Sequence, residues 1–361
     1  MTRARSSAVA ALVMALASAF AQAYLYVQSG VESNLLVFDG KVLFTQADGS
    51  LTLLDLQSGR AIQRGTEQLR IGQLRLTKHG IIAVSDYRGL YMLDRDSLAV
   101  IWKSESAGQA NVSDERLVSC NDEGVLECRK LKDGKVVWSK QMARWLRVLL
   151  KGNNILVSYI GPNLCVESFC LLDLDTGDEL FRKATPRGVQ ARQVFFDGQR
   201  IYLGVELAAE APSDRMQVFD LAGNEHETID VPRPPDSRGS LLNSGRFTLG
   251  NRVYCCETGW VLPASQKDLQ FPPHWTPGLG PERPQLTPDV EITLSKNERT
   301  NLPISLSVRT PAGTWQGVLP YLRPRGSIQH WTYTDGKILL GSTMGHLECV
   351  DAATGRSLWM Y

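Results

Sequence analysis

The sequence predicts an all-β fold, and three observations carry that expectation. A segment of about 42 residues recurs along the chain, its copies are punctuated by Asp-Gly and Thr/Ser-Gly turns, and short apolar runs of strand length lie between the turns. Composition agrees: 31 glycines and 17 prolines among 361 residues ask for many turns, and 43% hydrophobic with 21% charged residues supports a sizeable core.

The last copy of the repeat is the clearest. Asp335-Gly336 turns into Lys337-Ile338-Leu339-Leu340, Gly345 leads to Leu347-Glu348-Cys349-Val350-Asp351, and Thr354-Gly355 precedes Ser357-Leu358-Trp359. The first copy runs the same way from Asp39-Gly40 through Val42-Leu43-Phe44 and Gly49 to Asp55 and Ser58-Gly59. First-turn positions fall at Gly40, Gly80, Glu115, Asn154, Gly198, Asn251, Asp289 and Gly336; the 296 residues spanned, over seven steps, give about 42 per unit. A second ladder, the Asp-x-x-Thr/Ser-Gly turn, falls at Asp55, Asp94, Lys130, Asp173, Asp220, an unreadable copy, Arg309 and Asp351. Both ladders give eight units, with seven as the alternative.

Asp-Gly and Asn-Gly supply the positive φ that two-residue hairpin turns require. Runs such as Val42-Leu43-Phe44 and Ile338-Leu339-Leu340 suit strands covered on both faces. One such sheet cannot bury both faces alone, so the units must stack around an axis. Residues 24–361 are therefore expected to form a single β-propeller of four-stranded antiparallel blades. An aromatic four residues after the turn glycine position, at Trp102, Trp138, Phe181 and Trp359, can wedge between neighbouring blades; Gln63, Thr228 and Gly317 stand there in other copies.

These residues resemble a known repeat family. Asp351-Ala-Ala-Thr354-Gly355-Arg-Ser-Leu-Trp359 looks like the repeat of the PQQ-like (quinoprotein) β-propellers, as does Asp173 to Phe181, and Asp94 to Trp102 is similar with Leu98 in place of Gly. That family includes quinone-dependent dehydrogenases and noncatalytic scaffolds, among them the propeller subunit of the outer-membrane β-barrel assembly machinery, which is similar in size. The resemblance implies the fold; PQQ and calcium are the cofactors its enzymatic branch would imply. It also implies a vicinal disulfide at Cys255-Cys256, although successive side chains in the apparent strand Arg252-Val253-Tyr254 point to opposite faces.

Residues 1–23 read as a cleaved signal peptide. Arg3 and Arg5 form a basic start, Ser6 to Phe20 is apolar, and Ala21-Gln22-Ala23 places cleavage before Tyr24. The apolar stretch is shorter than the roughly 20 residues of a membrane span, and no Cys follows the cleavage site to carry a lipid. A periplasmic or secreted location is expected. Formal charge is +1, or −1 after losing two arginines, so no field is available to hold nucleic acid.

Arg233-Pro-Pro-Asp236 and a longer Pro-rich stretch from Phe271 to Pro288 should leave the sheets as loops, since proline cannot donate to a ladder. The longer one carries His274, Trp275 and Arg283, the candidate partner-binding residues. Seven cysteines in an exported chain invite disulfides. Cys165 and Cys170, read as flanking a loop, are the candidate pair; Cys120 and Cys128 could pair across a hairpin, and Cys128 and Cys349 hold equivalent repeat positions that suit buried apolar groups. The five histidines show no metal spacing, and neither a phosphate loop nor a Gly-x-Ser-x-Gly elbow occurs. Lys140, Arg144, Arg147 and Lys151 around Trp145 read as a solvated strand edge.

The sequence thus points away from an enzyme and toward a monomeric, noncatalytic exported scaffold that binds a protein or envelope component and takes no cofactor. A PQQ-dependent oxidoreductase-like protein using the axial channel is the alternative. Export makes a direct prediction: N-terminal sequencing of the protein from its host should begin at or within a few residues of Tyr24, and recovery from the cytoplasm with Met1 intact would refute it.

Overall fold

The computed structural model describes residues 35–361 except 47, 70, 86–88, 106–108, 122, 145, 162, 187, 209–210, 234–240, 244–245, 257–258, 264–284, 288–289, 297–302, 311–312, 319–327 and 343–345. These residues form antiparallel sheets in chain order, each a meander in which consecutive strands are neighbours. Sheet 1 comprises Leu36–Phe38, Lys41–Thr45, Ser50–Asp55 and Ala61–Gln68; sheet 2 comprises Ile71–Thr77, Gly80–Ser85, Gly89–Leu93 and Val100–Ser104. Sheet 3 comprises Gln109–Val112, Arg116–Cys120, Val125–Lys130 and Val136–Gln141; sheet 4 comprises Leu146–Lys151, Asn154–Ile160, Val166–Asp173 and Glu179–Ala184. Sheet 5 comprises Gln190–Phe196, Ile201–Glu206, Ser213–Phe219 and Glu225–Pro232; sheet 6 has Arg246–Leu249, Arg252–Cys255 and Val261–Pro263 described. Sheet 7 comprises Gln285–Thr287, Val290–Lys296, Pro303–Thr310 and Gly313–Val318; sheet 8 comprises Ile328–Thr334, Lys337–Ser342, Leu347–Asp351 and Ser357–Met360. Successive four-stranded meanders of this kind are propeller blades, and the chain is of the β-propeller class.

The described residues group into two compact units, one within 1–76, 96–99 and 278–361, the other within 77–95 and 100–277. In the first, Val42, Phe44, Leu54 and Leu56 of sheet 1 pack with Leu339, Leu347 and Cys349 of sheet 8. In the second, Leu156, Phe169 and Leu171 of sheet 4 pack with Val194, Phe196 and Leu203 of sheet 5. The second strands are apolar at consecutive positions because both their faces are covered, as the runs in the sequence require.

One turn recurs between third and fourth strands. Asp351 Oδ1 accepts hydrogen bonds from the Thr354 amide and hydroxyl, both at 2.7 Å, and the Gly355 amide donates to the Asp351 carbonyl at 2.9 Å. Asp55 and Asp173 repeat the arrangement with Ser58-Gly59 and Thr176-Gly177. The ladder slips just before each of these acids, at Leu53/Leu54, Leu171/Leu172 and Cys349/Val350, and the bulge re-aims the fourth strand.

The fourth-strand aromatic then docks on the next sheet's turn. Trp359 Nε1 donates to the Leu56 carbonyl at 3.0 Å, Trp102 to Leu131 at 2.8 Å and Trp138 to Leu174 at 2.8 Å. Their rings lie against Gly59, Gly134 and Gly177, where a Cβ would come within 2.5–2.7 Å of the ring. Phe181, which lacks the N–H, sits against Gly223 in the same way.

Two expectations need correction here. The aromatic of sheet 7 is Trp315, not the residue at 317: its Nε1 donates to the Ala352 carbonyl at 2.6 Å and its ring lies on Gly355. Thr310 pairs directly with Gly313 and Val308 with Trp315, so this turn is tight and unbulged, which shortens the count to the aromatic by two. Counting on a fixed turn length therefore missed it and set the marker at Arg309 rather than Thr310. The unreadable copy is Pro263, which faces Arg252 as Asp351 faces Lys337.

Gly152 and Gly177 offer a matched test of docking. Both have positive φ, +58° and +74°, but an added Cβ meets nothing within 4 Å at Gly152 and meets the Trp138 ring at 2.7 Å at Gly177. Gly152→Ala should cost about 1 kcal/mol of backbone strain, and Gly177→Ala about 2–4 kcal/mol because the ring must also move. Urea unfolding of the two variants gives the comparison; equal costs would refute the docking account.

Candidate functional site

The structure separates the predicted residues into three groups. Trp102, Trp138, Phe181 and Trp359 join neighbouring sheets and so belong to the scaffold. His274, Trp275 and Arg283 lie outside the described residues. Cys165 and Cys170 do not pair. Val166–Asp173 is a strand rather than a loop, so five residues of extended chain separate the thiols by about 16 Å, well beyond disulfide reach. Cys170 Sγ instead neighbours Tyr159 Oη at 3.7 Å, and Cys165 Sγ neighbours Arg192 Nη1 at 3.7 Å. Cys128 faces Val118 while Cys120 faces Leu126, so that hairpin pair is also out of register. Burial pushes the Cys128 and Cys349 thiols up to about 11, in keeping with apolar roles. Cys255 packs with Val253 and Trp260, and Cys256 packs with Phe195, Tyr202 and Tyr254, so the adjacent side chains sit in different clusters.

The most developed polar constellation lies between sheets 5 and 6, where two first-turn hairpins meet. Asp197 Oδ1 accepts from the amides of Gln199 at 2.8 Å and Arg200 at 2.6 Å, and its Oδ2 accepts from Tyr202 Oη at 2.8 Å and from Arg252. Burial alone would raise this carboxyl, but the four donors outweigh it and hold it below the usual range. Beside it opens a cleft of about 440 Å³ lined by Arg200, Tyr202, Glu227, Asn251, Arg252 and Tyr254, with Ile229 and Leu249 as its apolar part. Arg200 and Glu227 pair at 3.4 Å, so the cleft offers both signs of charge and an aromatic wall. Chemically it suits a polar side chain or small polar ligand held by hydrogen bonds.

A second constellation was not visible in the sequence. The turn from Cys255 to Trp260 lies along the first strand of sheet 5, where the Phe196 amide donates to the Gly259 carbonyl at 2.7 Å and covers an otherwise open edge. This brings the Cys256 carbonyl to Gln193 Nε2 at 2.6 Å and to Arg147 Nη1 at 3.5 Å. Arg147, read from the sequence as a solvated edge residue, is half-buried, and desolvation lowers its guanidinium from the ordinary value. Among the described residues the polar groups on its Nη1, the Gln193 amide oxygen and this carbonyl, are neutral. Lys151 Nζ lies 5.2 Å from the Trp260 ring centroid, a cation–π arrangement.

Among the described residues no three His, Cys, Asp or Glu side chains form a group that could hold a metal ion. Among the same residues no helix is long and apolar enough to cross a membrane.

With the propeller class established by its sheets, comparison with known proteins adds structural neighbours. No family model matches the chain, and no curated protein does. Among solved structures it is similar to the computationally designed Ika8 protein, at 12% identity over 89% of this chain and 96% of that one with a TM-score of 0.52. It is also similar to BamB from Moraxella catarrhalis, at 10% identity over 88% and 84% with a TM-score of 0.43. A third is the Swd1 β-propeller domain of Myceliophteria thermophila Cps50, at 12% identity over 61% and 77% with a TM-score of 0.38. At these identities the similarity concerns fold alone.

The Asp197 hub carries a pH signature. Its folded carboxyl lies below the unfolded value of 3.8, so its contribution is complete above about pH 3.8 and is lost as pH falls through the folded value. Asp197→Asn should therefore cost about 1–3 kcal/mol at pH 5, with the gap to the native protein narrowing toward pH 2.5 in urea unfolding. A gap independent of pH would assign the loss to packing instead of charge.

Proposed function

We propose that this chain is an exported, noncatalytic scaffold of the PQQ-like propeller kind, a monomer that binds a protein or envelope component through loops at the ends of its sheets. The observation that supports this reading most directly is how the repeat's distinctive residues are employed. The turn Asp, its Thr or Ser, the glycine and the aromatic all serve to join one sheet to the next. Chemistry for recognition is then left to the hairpin tips and links, where loops on a rigid frame commonly carry binding. The segment with His274, Trp275 and Arg283 is the first such element, and the cleft between sheets 5 and 6 is another.

The mature chain, immobilised and exposed to the envelope fraction of its host, should retain a defined component. Trp275→Ala with Arg283→Ala should weaken that retention at least about tenfold while leaving the unfolding midpoint unchanged, the outcome a binding rather than a packing role requires. Adding PQQ with calcium separates the oxidoreductase-like alternative: a ligand that binds the native state raises the midpoint, and the scaffold reading expects no shift. No retained component, or a clear rise with PQQ and calcium, would overturn it.

A further inference from the structure

Among the described residues four other than glycine have positive φ, and three are accounted for within the fold. Asp39 and Asp335 open Asp-Gly hairpin turns, where positive φ is required and Asp tolerates it. Leu98, at +57°, replaces the turn glycine of sheet 2 and is 5% exposed, so burial compensates its strained backbone. Leu164, at +60°, is 67% exposed, the most exposed large apolar side chain among the described residues.

The repeat supplies its own control. Leu164 closes the second-to-third-strand turn of sheet 4, its amide donating to the Gly161 carbonyl at 2.9 Å. Gly49 closes the same turn in sheet 1 by donating to Gln46 at 2.8 Å, and Gly124 in sheet 3 by donating to Asn121 at 2.9 Å, both with φ of +82°. Glycine adopts this conformation without cost, whereas leucine is strained there. Sheet 4 thus keeps a strained backbone and exposes an apolar side chain where these two sister turns use neither, and strained backbone of this kind clusters at functional sites.

The surroundings define what would cover it. Glu167 is exposed and, among the described residues, has no ion-pair partner; its carboxylate lies over Gly161 in the same hairpin. The nearby base Arg192 is already paired with Glu206. The tip therefore presents one apolar anchor beside one unneutralised negative charge.

We propose that the hairpin tip Gly161–Glu167 is a docking point for a protein partner that offers an apolar socket for Leu164 and a lysine or arginine for Glu167. This rests on the scaffold reading above and names the surface it uses. An anchor filling a pocket next to a complementary charge is the arrangement that dominates affinity in protein interfaces.

The test uses the full chain in its native host, with a photo-crosslinking residue at 164 and, as control, at Leu180, which is 52% exposed on the outer strand of the same sheet. The expected result is a discrete adduct at 164 and none at 180, mapped on the partner to apolar residues next to a basic one. Glu167→Lys should reduce its yield at least tenfold. Leu164→Gly, which restores the residue of the sister turns, should abolish binding of that partner while raising the unfolding midpoint by a degree or two. A lowered midpoint for Leu164→Gly overturns the proposal, as does an adduct with a second copy of this chain. With the crosslinking residue moved to position 275, an adduct there without one at 164 overturns this tip and leaves the scaffold reading standing; adducts at neither overturn both.

Discussion

Five of the described sheet junctions rest on an aromatic ring laid against a glycine. A four-stranded sheet with apolar faces gains its stability only when another sheet covers it, and the contact must repeat at each junction without a helix or long loop to brace it. The fourth-strand tryptophan does this with two interactions at once. Its face covers a turn that has no Cβ, and its Nε1 donates to a carbonyl one residue past the turn's first position, as Trp359 does to Leu56. The glycine is needed twice over, for a positive φ and for the close approach. The Asp ahead of it ties down the turn through amide and hydroxyl donors, so the platform is fixed before the ring arrives. At one junction both halves of the device are replaced together. Leu98 replaces the glycine of sheet 2, and the position that would dock on it is Gln63, whose amide reaches the Ser97 carbonyl at 3.4 Å instead.

This coupling explains which parts of the fold were legible. Turn chemistry and apolar runs are local, so Asp55, Asp173 and Asp351 with their glycines marked the sheets directly, and the aromatics followed at a fixed distance. Local rules fail when the turn changes length. Trp315 escaped because Thr310 and Gly313 close a tight turn without the usual bulge, and Pro263 concealed a marker because register, not residue type, holds its place. Cys165 and Cys170 misled for the opposite reason. Their short separation suggested a loop, but the strand beginning at Val166 stretches the chain between them.

The candidate sites were less legible, because they arise from contacts between sheets far apart in sequence. Arg147 and Cys256 are 109 residues apart and meet only because the Cys255–Trp260 turn lies along the edge of sheet 5. Asp197 and Arg252 likewise belong to different repeats, and neither carries a motif. No periodicity or spacing encodes such a meeting; it requires the stacking of sheets to be known first.

A repeat protein nevertheless contains its own reference, and that changes what counts as a signal. Departures from the repeat are of two kinds. Some are compensated inside the fold: Leu98 is buried and its docking partner has changed with it, and Trp315 has shifted with its shortened turn. Others have no counterpart in the chain, as when Leu164 holds a glycine's conformation in full view of solvent. Compensated departures record how the sheets stay together. An uncompensated one leaves a conformational cost that nothing among the described residues offsets, and the partner proposed above would account for its persistence. In a propeller whose motif residues are committed to its junctions, function is therefore to be sought where the repeat is broken and the break is left unrepaired.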